Sequence, residues 1–140
     1  MKASSRHHSE KNPKIKIKAH KNFCAYKKVI FLTVKDFSEK LNLKYLSNED
    51  KACTRTINGC YCGDLLSWVM SRAKEDNVWL TVMGNINSIG VAVLADVACI
   101  VLTENAPLDD NAKQKADENG VIVLTTNKNS YEVAAEFSKL

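Results

Sequence analysis

Histidine is scarce and badly placed for chemistry. The 140-residue chain holds three, His7, His8 and His20, all near the N-terminus. The rest of the chain therefore has no imidazole for general acid–base work near neutral pH, for metal ligation or for a serine or cysteine triad. Glycine and proline are also few, at 5 and 2. That excludes collagen-like and low-complexity composition, and with 45% hydrophobic and 26% charged residues it describes a soluble globular chain long enough for one compact domain. No long hydrophobic run occurs. The longest, Ile89 to Leu102, is interrupted by Asp96 and falls short of the roughly 20 residues of a membrane-spanning helix. Glycine-rich phosphate loops are missing too: neither Gly-x-x-x-x-Gly-Lys-Ser/Thr nor Gly-x-Gly-x-x-Gly follows any apolar run.

What is present divides by charge. Residues 1–32 carry nine basic residues against Glu10 alone, a net +8, whereas the other 108 carry eleven basic and fifteen acidic groups, a net −4. The leader has no sustained apolar period and contains Pro13, so it reads as disordered, with residues 33–140 as the folded domain. Val29 to Val34 is too short for a secretory core and lacks a small-residue cleavage pattern, which points to the cytoplasm. A basic arm of this kind binds nucleic acid or another anionic surface only by sequence-independent phosphate neutralisation. A further expectation is a mis-assigned start: Lys27-Lys28-Val29 fits a ribosome-binding sequence and Leu32 a UUG codon.

Along the domain, Thr33 and Asp36 form a capping box for a helix whose apolar face is Val34, Phe37 and Leu41. Leu43 and Tyr45 suggest a brief strand, Ser47 to Lys51 a polar turn, and Thr54 to Ile57 a second strand stopped by Asn58-Gly59. From Asp64 a helix is expected, self-capped by that aspartate, with Leu65, Leu66, Val69, Met70 and Ala73 as its apolar stripe and Lys74 to Asn77 as its exit. Val78 to Val82 reads as a strand, Ile86 to Ala95 as a buried helix capped by Asn85 or Asn87, and Cys99 to Leu102 as a buried strand. Leu108 to Asn119 is a polar helix started by Asp109-Asp110 and closed by Gly120; Val121 to Leu124 is a strand; Asn129 with Glu132 caps the last helix. Alternation of this kind with short connections predicts parallel βαβ units, hence a three-layer α/β domain with a mainly parallel sheet between helices.

Five cysteines, an odd number, argue against a disulfide framework and for a reducing compartment. Cys60 and Cys62 share a side if Cys60-Tyr61-Cys62 is extended, with Cys53 as a third thiol for a metal or redox site. The alternative is that they are small hydrophobes, as Cys99 inside an apolar strand is expected to be.

The segments Gly59 to Met70, Trp79 to Val82 and Leu94 to Leu102 resemble a stand-alone DRTGG domain, most specifically at Gly63-Asp64-Leu65-Leu66-Ser67. The resemblance extends over about Thr33 to Leu140. It implies a small bacterial α/β domain similar to the N-terminal domain of HPr kinase/phosphorylase. Such domains are also fused to CBS pairs in regulatory pyrophosphatases, where they are regulatory or dimer-forming and not catalytic. Two departures stand out: Thr103-Glu104-Asn105 replaces Thr-Gly-Gly, and Met83 to Asn87 lacks an arginine, both removing phosphate-friendly features.

Ligands of open α/β sheets sit beyond the carboxyl ends of the parallel strands. That rim gathers Gly84, Asn85, Asn87 and Ser88, then Thr103, Glu104 and Asn105, then Thr125, Thr126 and Asn127. These are hydrogen-bonding groups with no strong acid, base or nucleophile among them, so no catalytic residue, cofactor or metal is assigned. The expected function is a non-catalytic, cytoplasmic regulatory or interaction domain that self-associates as a homodimer. The alternatives are a sensor of a small polar metabolite or nucleotide at the rim, and a cysteine-based metal or redox protein.

Overall fold

The computed structural model describes residues 31–140. The basic leader, its histidines and Cys24 lie outside the described residues. Leu32, counted with the leader in sequence, opens β1 (Leu32–Thr33), which pairs antiparallel with β3 (Thr56–Ile57) in a two-stranded ribbon. Between them come α1 (Val34–Leu41), β2 (Lys44–Ser47) and a 3₁₀ turn (Glu49–Lys51). Then follow β4 (Gly59–Cys62), α2 (Leu66–Arg72), β5 (Asn77–Thr81), α3 (Ile86–Ala95), β6 (Cys99–Leu102), α4 (Asp110–Asn119), β7 (Val123–Thr125) and α5 (Ser130–Phe137).

The main sheet runs β2-β7-β6-β5-β4. Strands β4 to β7 are parallel and β2 joins β7 antiparallel, which gives the mainly parallel sheet expected. Alternation along each strand builds two cores. Val78, Leu80, Cys99, Val101 and Leu124 face one way, against Val34, Phe37 and Leu41 of α1 and Val133 of α5. Trp79, Ile100, Leu102 and Val123 face the other way, against Val69 of α2, Ile89 and Ala92 of α3, and Ala112 and Ala116 of α4. Every residue of β5 and β6 is buried, as strands covered on both faces must be. The result is three layers, helices on sheet on helices.

Local chemistry sets the helix ends. The Asp36 N–H donates to Thr33 Oγ1 at 3.1 Å and the Thr33 N–H to the Asp36 carboxylate at 3.2 Å, a closed capping box. Asn85 and Asn129 cap α3 and α5 by accepting from Ser88 N and Glu132 N. Gly120, with φ 70°, ends α4 in the left-handed region.

Several expectations are corrected. Asn58-Gly59 does stop a strand at Ile57, but Gly59 at once opens a further one, β4, because the Asn58 N–H donates to the Asp76 carbonyl and the side chains of Asn58 and Asn77 bond at 3.0 Å, drawing the segment alongside β5. The preceding strand shrinks to Thr56–Ile57. Asn77, placed in the helix exit by sequence, is buried and opens β5. Helix α2 begins at Leu66 with Leu65 as its N-cap and no side-chain cap bond, since Asp64 is engaged elsewhere. Of its predicted stripe only Val69 is fully buried, while Leu65 and Met70 are 59% and 51% exposed. Helix α3 is not a buried helix: Leu94 is 74% exposed, because a crossover helix has a sheet on one side and water on the other. Asp109 sits at the N-cap of α4 without a side-chain bond. Strand β7 starts two residues later than read, because Val121 N returns to the Ala116 carbonyl to finish the α4 turn.

Candidate functional site

Helices α2, α3 and α4 cross back on one face, whereas α5, after β7, lies on the other. The connections leaving the adjacent strands β6 and β7 therefore part to opposite faces, the arrangement that opens a crevice at the carboxyl ends of a parallel sheet. A cleft of about 410 Å³ lies there, lined by Asn42, Lys44, Asn105, Thr125, Thr126 and Asn127.

Strand pairing builds it. Lys44 opens β2 directly opposite Thr125 at the end of β7, so its ammonium stands at the strand terminus. Asn42, with φ 55°, closes α1 in the left-handed region, where asparagine is better tolerated than most side chains. Thr126 N donates to Leu102 O at 3.0 Å and Asn105 N to Thr126 O at 2.9 Å, fixing the floor between the two strands. The lining thus offers three amides, two hydroxyls and one cation.

The ten rim residues named from sequence separate into groups. Asn105, Thr125, Thr126 and Asn127 meet in the cleft. Thr103 is fully buried, its hydroxyl 3.3 Å from that of Ser130. Ser88 is buried and Asn85 is spent on capping α3. The Gly84 carbonyl accepts from Asp109 N at 2.8 Å, stitching the β5–α3 connection to the next one. Asn87 and Glu104 are exposed and do not line the cleft. Sequence reasoning missed Asn42 and Lys44; their only sequence signal is the strand that follows Asn42, and its pairing partner is decided eighty residues later.

Glu104 and Asn105 have φ of 57° and 53°, both left-handed, at the positions where the resemblance expects Gly-Gly. The backbone keeps a glycine-like turn without glycine. Its N–H groups are committed to the Lys128 and Thr126 carbonyls at 2.9 Å each, so this turn presents no free donors to an anion.

Asp64, in the most specific stretch of the resemblance, is not the cap of α2. Its carboxylate accepts from the Thr81 hydroxyl at 2.7 Å and from Val82 N at 3.0 Å, tying the exit of β4 to the end of β5. Beside it the buried Trp79 ring donates through Nε1 to the Gly63 carbonyl at 2.8 Å. These contacts make Gly63 and Asp64 parts of the rim's scaffold.

Cys60 and Cys62 do lie on one side of an extended strand, but Cys53 does not complete a site with them. Among the described residues no group of three or more histidine, cysteine or acidic side chains is placed to hold a metal. Cys99 is buried in the core. A second cleft of about 420 Å³ between α1 and the 3₁₀ turn carries Lys35, Glu39, Glu49 and Asp50, opposing charges away from the strand termini. No helix among the described residues is long and apolar enough to cross a membrane.

Residues 36–140 match the family model of the DRTGG domain. No curated protein matches the chain in sequence. Among solved structures, the chain is similar to the CBS and DRTGG domains of the regulatory region of Clostridium perfringens pyrophosphatase, complexed with its activator diadenosine tetraphosphate. The TM-score is 0.59 at 11% identity, over 74% of this chain and 44% of that one, so the likeness is one of fold and spans less than half of the pyrophosphatase chain.

Proposed function

The chain belongs to the DRTGG domain family, and from that premise we propose that it is a non-catalytic regulatory domain that senses a small anionic metabolite or nucleotide in the cleft at the ends of β6 and β7. One observation carries this reading: the parting of α4 and α5 to opposite faces opens a cleft whose lining is polar and uncharged except for Lys44. Its volume of about 410 Å³ suits a metabolite-sized ligand. A single ammonium among amides and hydroxyls attracts a phosphate or carboxylate while the neutral groups orient the remainder. The lining lacks an acid, an imidazole or a thiol, so its chemistry is recognition. The pyrophosphatase region, which binds a dinucleoside polyphosphate, supports choosing nucleotides as the first probes.

The test is a thermal-shift and calorimetric panel of adenine nucleotides, diadenosine tetraphosphate and phosphorylated metabolites against the chain and its Lys44→Ala variant. A ligand at one hundred times its Kd should stabilise the fold by about 2.7 kcal/mol, and the variant should bind it about tenfold more weakly. Absence of any shift, or equal binding by the variant, overturns the proposal.

Self-association is a second reading, favoured by apolar side chains exposed on α2 and α3. Trp68 is 53% and Leu94 74% exposed, and the Arg72 guanidinium stacks 3.9 Å from the centre of the Trp68 ring. Aromatic and arginine side chains are the kind enriched in interface cores. A second copy is the expected occupant, and sedimentation at micromolar concentration should show a dimer that Trp68→Glu dissociates; a strictly monomeric chain sinks it.

A further inference from the structure

Two thiols stand apart from the rim cleft, on β4 at the edge of the main sheet, where the strand pairs only with β5. Cys60 and Cys62 are opposite Val78 and Leu80 in the register, so both side chains project to the same face. They differ in burial: Cys60 packs half-buried against the α1–α5 core, whereas Cys62 is exposed. Cys99 faces the same way but is sealed in β6, with Val78 between it and Cys60.

We propose that Cys60 and Cys62 form a dithiol site for exchange with small disulfides, in which Cys62 attacks and Cys60 resolves. The site goes beyond the ligand-sensing reading and does not depend on it. In the first step the Cys62 thiolate bonds to one sulfur of R–S–S–R, the R–S–S–R bond breaks and one thiolate leaves, taking a proton from water. In the second, Cys60 releases its proton to water and attacks the Cys62 sulfur, expelling the second thiolate, which takes up the proton that Cys62 had given to water on ionising. Two electrons pass from the protein thiols to the small disulfide, giving two R–SH and one protein disulfide.

Exposure divides these roles, since Cys62 is open to solvent and Cys60 is half-buried. The neighbouring Cys60 thiol pushes the Cys62 thiol down to about 7, against the opposing effects of burial and the Asp64 charge. The neighbouring Cys62 and burial push the Cys60 thiol well up, so Cys60 stays protonated until a mixed disulfide forms next to it. A thiolate populated near neutral pH and open to solvent is the attacking partner in such exchange.

Reach is at its limit in the extended strand. Two residues of strand advance about 6.6 Å, near the upper end of the roughly 4.4–6.8 Å between Cα atoms of a disulfide. Closing the bridge requires a local bend. A four-residue strand with one neighbour, ending at Cys62 itself, bends more readily than the enclosed β5 or β6. A disulfide closed this way is strained, hence easily reduced and suited to reversible exchange.

Peptide mapping by mass spectrometry of the full chain, first with iodoacetamide and then with glutathione disulfide, tests the assignment, with exposed Cys53 as the internal comparison. Cys62 should alkylate at least about threefold faster than Cys53. With glutathione disulfide the wild-type peptide should lose two hydrogens, Cys60→Ser should keep glutathione on Cys62, and Cys62→Ser should leave Cys60 unmodified. Cys60→Ala replaces the serine variant if a hydroxyl at that half-buried site unfolds the chain. Cys62 reacting no faster than Cys53, or a wild-type adduct that never converts to the internal disulfide, overturns the proposal.

Discussion

The Thr81 hydroxyl donates to the Asp64 carboxylate at 2.7 Å, joining the end of β5 to the segment that leaves β4. Thr81 is fully buried, and its oxygen in turn accepts from Met83 N at 3.1 Å. The Asp64 side chain thereby orders the first residues of the β5–α3 connection, which carries Gly84 and the cap of α3.

Replacing Asp64 by alanine removes acceptors for the buried Thr81 hydroxyl and for Val82 N. A hydrogen bond to a charged group contributes about 1.5–3 kcal/mol. The expected loss of stability is about 2 kcal/mol by the same reasoning, seen as a lower urea midpoint with an unchanged slope. Asp64→Asn retains one oxygen acceptor and should lose less than half as much. Equal losses for the two variants would contradict the role given to the hydrogen bond.

Gly84 is required by close approach, not by its backbone conformation. A Cβ at this position would lie 2.9 Å from the carbonyl carbon of Pro107 and 3.1 Å from Leu108 Cα, with the Pro107 oxygen nearer still. All three obstacles are backbone atoms, so none can rotate away. Gly84→Ala should cost about 2–3 kcal/mol in chemical denaturation, whereas Gly90→Ala, whose nearest neighbour is the Lys115 ammonium at 3.6 Å, should be neutral or stabilising.

How much of this was legible in the sequence depended on whether the signal was local. The Thr33–Asp36 box, the caps at Asn85 and Asn129, and strands β5 and β6 are set by neighbours within a few residues or by unbroken apolar runs. Strand β4 is hard to see because Asn58 and Gly59 are depleted in strands and mark a turn; parallel pairing with β5 overrides that preference. The cleft was half legible. Asn105, Thr125, Thr126 and Asn127 follow strands and could be placed at the rim, but Lys44 joins them only through antiparallel pairing of β2 with β7. An acid before a helix reads as a cap, and nothing local reveals that the buried Thr81 hydroxyl competes for Asp64.

The capping box should leave a signature in acid. Bonds from the Thr33 hydroxyl and then from its backbone N–H hold the Asp36 carboxyl below the usual carboxylate range. A carboxyl lowered by folding contributes fully above its unfolded value, about 3.9, and its contribution vanishes as pH falls through the lower folded value. The difference in stability between the wild type and Asp36→Asn should therefore be constant above about pH 5 and shrink towards pH 2. Urea midpoints at a series of pH values check it; a difference that grows in acid would reverse the assigned sign.

Glu104 and Asn105 offer a test of what glycine does in the β6–α4 turn. Both hold left-handed backbone, with φ of 57° and 53°, and both donate their N–H groups to carbonyls of the β7–α5 connection. A residue with a Cβ is strained in that region by roughly 1–2 kcal/mol, less for asparagine than for glutamate. Glycine relieves the strain but adds freedom to the unfolded chain, offsetting about half of the gain. Glu104→Gly should thus stabilise the fold by about 0.5–1 kcal/mol, and Asn105→Gly by less. Because the turn's N–H groups are already bonded, neither change should create an anion site, and ligand affinity at the neighbouring cleft should stay within about twofold for Glu104→Gly, whose side chain does not line it. Destabilisation by Glu104→Gly in thermal or urea unfolding would mean that the glutamate side chain holds the turn in a way its exposed position does not provide.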